Sequence, residues 1–129
     1  MSTQSTESPH ALVFDRASMV AETVAMVLED AGYAARYTVT YRDAKRAFEE
    51  MGNLSLIVVH ADTPGERRGT SLLNAALRDR PTTAIVVVSS RLPQDLAPFP
   101  RTAVFLEKPF DREQLLDAVE RARSARPVA

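Results

Sequence analysis

Four apolar runs of this sequence end on residues that can do chemistry. "ALVF" leads into Asp15 and Arg16, "LSLIVV" into His60, "AIVVVSS" closes on Ser89 and Ser90, and "AVFLE" leads into Lys108 and Pro109. In an open α/β sheet, the carboxyl ends of strands are where ligands and chemistry sit. Brought together, these ends would offer a carboxylate, a guanidinium, an imidazole, two hydroxyls and an ammonium. An imidazole so placed can accept a phosphoryl group, ligate a metal, sense pH, or simply be hydrogen-bonded at a strand end. A zinc site needs about three protein ligands, and only His60 and Asp15 are evident candidates. Asp62 follows His60 by two positions. It is either a second phosphoryl acceptor or a turn residue ahead of Thr63-Pro64, a common role for aspartate. No nucleophile–base pair stands out, so an enzyme is not expected.

The elements that must position these residues are legible as an alternation. After a polar leader over 1–10, "ALVF" reads as a first strand. "SMVAETVAMVLEDAGY" follows as a helix, with Met19, Val20, Thr23, Val24, Val27 and Leu28 at helical spacing, Ser18 as N-cap and Gly32 as the stop. "AARYTVT" is a β-branched strand interrupted by Arg36. "YRDAKRAFEEMG" is an amphipathic helix with Ala44, Ala47, Phe48 and Met51 on one face. "LSLIVV" is continuously apolar, the mark of a strand buried on both faces. "GTSLLNAALRDRP" is a third helix, stopped before Pro81. "AIVVVSS" reads as a central strand and "AVFLE" as a fifth. Between them, "RLPQDLAPFPRT" carries Pro93, Pro98 and Pro100 and has room for about one helical turn. "DREQLLDAVERARSA" is the last helix, with Asp111 and Gln114 spaced as a capping box. The tail over 126–129 is expected to be loose. Strands and helices taking turns at these spacings imply an α/β fold with a parallel sheet covered on both faces.

Composition narrows the function. A chain of 129 residues with 45% hydrophobic and 26% charged residues suits one globular domain. The formal net charge is -1, so no overall basic field draws nucleic acid or an anionic membrane. Cysteine is absent, which removes disulfides, thiol catalysis and cysteine metal sites. No apolar run reaches the about 18 residues that a membrane span needs, and no secretion signal is seen, so a cytoplasmic protein is expected. The short basic clusters "GERRG" and "ERARSARP" read as solvated surface.

With "LVFDRAS", "LIVVHADTPG", "IVVVSS" and "VFLEKPF" at its four strand ends, the chain resembles the receiver domains of bacterial response regulators over residues 11–125. The resemblance implies the chemotaxis-type, flavodoxin-like fold: a three-layer sandwich around a five-stranded parallel sheet in the order 2-1-3-4-5. In that family an acidic pair after strand one holds magnesium, and an aspartate after strand three accepts phosphate. A hydroxyl after strand four and the lysine of a Lys-Pro motif contact the phosphoryl group, and an aromatic on strand five reports it. Carried over, Asp15 and Arg16 stand at the acidic-pair positions and His60 at the phosphoacceptor position. Ser89 and Phe105 take the two switch positions, Lys108 the phosphate-contact position, and Pro109 a cis-proline position. Two of the three carboxylates are gone.

Three carboxylates and a lysine would carry a charge of about -2, whereas Asp15, Arg16 and Lys108 with a neutral His60 carry about +1. Magnesium thereby loses both attraction and ligands. Arg16 is expected to fork onto Asp15 in the metal's place. The implied reading is a stand-alone, non-phosphorylatable pseudo-receiver, monomeric or a weak homodimer, with no metal and no cofactor. Its partner would be a protein: a histidine kinase, another regulator or an output protein. Two alternatives stand beside it, a phospho-accepting receiver using His60 or Asp62, and a flavodoxin-like module that binds a small anion.

Overall fold

The computed structural model describes residues 8–61, 68–90 and 102–125. Five strands alternate with helices: β1 (His10–Phe14), α1 (Ser18–Asp30), β2 (Ala34–Thr38), α2 (Tyr41–Glu50), β3 (Leu54–His60), α3 (Arg68–Asp79), β4 (Ala84–Ser89), β5 (Val104–Glu107) and α4 (Arg112–Ser124). The strands form one sheet in the order β2-β1-β3-β4-β5. Every neighbouring pair is parallel. The three-layer flavodoxin-like sandwich expected from the sequence is therefore observed. The short helix expected within "RLPQDLAPFPRT" lies outside the described residues, as do Asp62, most of the leader and the tail.

The period of two along each strand divides the core cleanly. Ala11, Val13, Leu56, Val58, Val86 and Val88 face one side, where α1 and α4 cover them with Val24, Leu28, Leu115 and Val119. Leu12, Phe14, Ile57, Val59, Ile85 and Val87 face the other, under Ala44, Ala47 and Phe48 of α2 and Leu72, Leu73 and Ala76 of α3. A strand buried on both faces must be apolar at every position. That is why β4 is buried throughout and β3 nearly so. β2 is an edge strand, and Arg36 and Tyr37 are exposed on it.

Two local expectations are corrected. β1 begins at His10, within the stretch assigned to the leader, because the His10 N–H donates to the Asn53 carbonyl at 3.1 Å. Ala17, not Ser18, is the N-cap of α1, and no side-chain bond closes that helix start. Met19 is 81% exposed, because α1 turns its small residues Ala21 and Ala25 to the sheet together with Val24 and Leu28. Met19 and Met26 stay outside. Gly32 does end α1's connection at φ 104°, where L-residues are strained.

α4 starts as expected. Asp111 accepts from the Gln114 N–H, and the Gln114 side chain accepts from the Asp111 N–H, closing a capping box. Replacing Asp111 by alanine is expected to cost about 1 kcal/mol, read as a lower urea midpoint with unchanged slope, and Asp111→Asn should recover most of it.

Candidate functional site

β1, β3 and β5 lie within one parallel sheet, so their carboxyl ends open on the same edge. Asp15 follows β1 directly. Its N–H donates to the Thr38 carbonyl at 3.1 Å, which ties it to the edge strand. The Thr38 hydroxyl donates to the Val13 carbonyl at 2.8 Å and fixes the same corner. His60 ends β3 in register with Val88, and the Ala61 N–H donates to the Val88 carbonyl at 3.0 Å. Lys108 follows β5, placed by its N–H donating to the Ser89 carbonyl at 2.8 Å. The Lys108–Pro109 bond is cis, as expected.

Backbone placement brings three side chains together. The Lys108 Nζ lies 2.8 Å from Asp15 Oδ2 and 3.1 Å from His60 Nδ1. His60 Nδ1 is 3.8 Å from the same carboxylate oxygen. The other oxygen, Oδ1, accepts from the Ala17 N–H at 2.9 Å. The side chains of Asp15, His60 and Lys108 are 5%, 11% and 19% exposed, so the cluster is largely shielded from water. An ammonium can only donate, so His60 Nδ1 is the acceptor and a neutral ring carries its proton on Nε2. The carboxylate has a counter-charge and a hydrogen bond on each oxygen. This is the condition under which a buried charge is tolerated.

The counter-charge is not the one expected. Arg16 lies beyond the end of β1 and is exposed. Lys108, from the far end of the chain, takes the place. Among the other expected site residues, Ser89 is fully buried and Phe105 is half-buried on β5, in register with Val87. Ser90 is exposed beside them. Asp62 lies outside the described residues. No group of three or more histidine, cysteine or acidic residues that could hold a metal occurs among the described residues.

A feature the sequence reading missed adjoins the cluster. Met19, Val20, Thr23 and Val24 of α1 face Ser90, Lys108, Pro109 and Phe110 across an open groove of about 500 Å³. Helical spacing groups Met19 and Thr23 with Val20, Val24, Val27 and Leu28 but does not say which face meets the sheet. The signal that points to it is the pair of alanines at 21 and 25, which are buried with Val24 and Leu28.

No protein-family model matches the sequence. Solved structures do. A response regulator receiver protein from Sinorhizobium medicae superposes with a TM-score of 0.79 at 22% identity, covering 95% of this chain and 100% of that one. A CheY-like receiver domain from Methylobacillus flagellatus gives a TM-score of 0.69 at 27% identity, covering 90% and 99%. The chain has the fold of response regulator receiver domains. It is also 34% identical over 117 residues to the nitrogen assimilation regulatory protein NtrX of Azorhizobium caulinodans. It spans about a quarter of the length of that curated relative. No helix among the described residues is long and apolar enough to cross a membrane.

Proposed function

We propose that this receiver domain is a phosphorylation-independent signalling module of a two-component or phosphorelay system, acting by protein contact and not by turnover. One observation carries the reading: the closed contact of Asp15, Lys108 and His60. A receiver that takes phosphate through an aspartate needs free carboxylate at the acceptor position and a divalent cation to offset phosphoryl charge. Here an imidazole stands at that position. The one carboxylate of the described cluster is already neutralised by Lys108 at 2.8 Å.

The same contact argues against His60 as a phosphoryl acceptor. The ring lone pair that would attack phosphorus lies on Nδ1, where it accepts from the Lys108 ammonium. Partners that fit the reading are a histidine kinase, another regulator or an output protein.

The test is incubation with magnesium and acetyl phosphate. Magnesium at about 10 mM is expected to leave the Tm unchanged, because a ligand stabilises only by binding the native state. Intact-mass analysis after acetyl phosphate should show the unmodified chain. A stoichiometric one-phosphate adduct, mapped to His60 or Asp62, would overturn the proposal, as would a clear magnesium-dependent rise in Tm.

A further inference from the structure

The charges of α2 run against the helix they sit on. Arg42, Lys45 and Arg46 occupy its first two turns, while Glu49 and Glu50 occupy its last. A helix favours acids at its start and cations at its end, because its peptide dipoles place positive potential at the N-terminus. Asp43 is the one acid in the first turn, and no cation stands in the last. The order is therefore electrostatically unfavourable for the folded helix. Such a local conflict is expected where a surface serves something other than folding.

The three cations also differ from the other basic side chains. Arg36, Arg112, Arg121 and Arg123 each end on a carboxylate, and Arg80 lies 5.1 Å over the Phe48 ring. Arg42, Lys45 and Arg46 are exposed and, among the described residues, make no ion pair, hydrogen bond or ring contact. On the helix they form one neighbouring set, at spacings of three and four. They stand near the edge that holds the Asp15 cluster: Thr40 caps α2 two residues after Thr38, whose carbonyl takes the Asp15 N–H.

We infer that the first two turns of α2 are a docking surface for an acidic segment of a protein partner. The inference rests on the reading that the domain works through protein contact, and it holds whether or not the domain is phosphorylated. The chemistry favours a protein over a nucleic acid. Three cations within about 6 Å of helix length match a short run of carboxylates. A phosphate backbone needs charge spread along its length, and here the cations are followed within a Debye length by Glu49 and by Glu50, which is paired with Arg36. The chain as a whole carries a formal charge of -1.

The test is amide chemical-shift mapping on the intact chain, with a poly-glutamate peptide as probe, at low and at physiological salt. Shifts are expected to centre on the first two turns of α2 and to weaken as salt rises. The variant R42Q/K45Q/R46Q should bind the peptide about tenfold more weakly while melting at the same or a higher temperature, since cations are removed from a helix start. Shifts centred elsewhere, or unchanged affinity in the variant, would overturn the inference. So would a single-stranded oligonucleotide binding at least as tightly as the peptide, or a self-association that the triple variant abolishes. The magnesium and acetyl phosphate test reads a different site, so the two proposals fail independently.

Discussion

The double variant R16D/H60D is expected to bind magnesium and to take one phosphoryl group from acetyl phosphate, where the parent chain is expected to do neither. The two changes shift the pocket from a formal charge of about +1 to about -2. They supply the hard oxygen ligands that a divalent cation requires. On the proposed assignment, Ser89 and Lys108 take the positions that contact a phosphoryl group in receivers. His60 Nδ1 lies 3.8 Å from Asp15 Oδ2, so a carboxylate at position 60 would share the Lys108 ammonium with Asp15. Without metal the variant should be less stable than the parent, because crowded carboxylates in a shielded site disfavour each other's ionised form. Saturating magnesium should reverse that loss by about 2–3 kcal/mol when it exceeds its Kd by about a hundredfold. Neither single change should restore full phosphorylation, since each leaves one carboxylate missing. A double variant that folds normally yet binds no magnesium and takes no phosphate would show that these positions do not form a receiver pocket.

Replacing Lys108 by methionine is expected to cost about 3–5 kcal/mol, a large part of the about 5–15 kcal/mol that holds a domain of this size. The side chains of the pair are 19% and 5% exposed, so solvent screening does little to soften the loss. Methionine keeps much of the volume, so the cost arises from stranding the Asp15 carboxylate and not from a cavity. D15N/K108M should therefore recover much of the stability that K108M loses, and urea unfolding of both singles and the double measures the coupling. The single variant should also respond to pH. With Lys108 gone, a protonated His60 is the remaining counter-charge within 3.8 Å of the carboxylate. Its charged form is then favoured by the folded state. The added stability is present below the ordinary histidine range, near about 6.5, and is lost as pH rises through the folded value. K108M should thus be more stable at about pH 5.5 than at about pH 8. A K108M variant as stable as the parent at every pH would show that the contact does not matter.

The strands and helices were legible because both their periods are written in the sequence. Strands such as Leu54–His60, covered from both sides, can hardly be anything but apolar throughout. The Asp111–Gln114 capping box was read in full, since its bonds join residues three apart. The site was legible as a set of positions and not as a set of contacts. Arg16 is expected on Asp15 in the metal's place, because a guanidinium can fork onto a carboxylate. The partner that reaches the carboxylate comes from β5, and only the sheet order brings it there. The buried face of α1 was not legible for a related reason. Spacing alone shows which residues share a helix face, whereas the sheet decides which face it accepts, and here it accepts Ala21, Val24, Ala25 and Leu28.

The division of each strand into two inward sets has a consequence for how such a domain can change over time. Both cores are filled by residues of the strands and helices, and Asp15, Arg16 and Lys108 follow the last strand residue that either core claims. His60 is the last residue of β3 and belongs to neither cluster. These positions belong to neither apolar core, although Asp15, His60 and Lys108 are themselves largely shielded. What limits drift there is charge balance together with the room each side chain fills. A lineage can exchange one self-consistent set of charges for another, retiring a chemistry or regaining it, while the scaffold beneath stays under separate selection for packing.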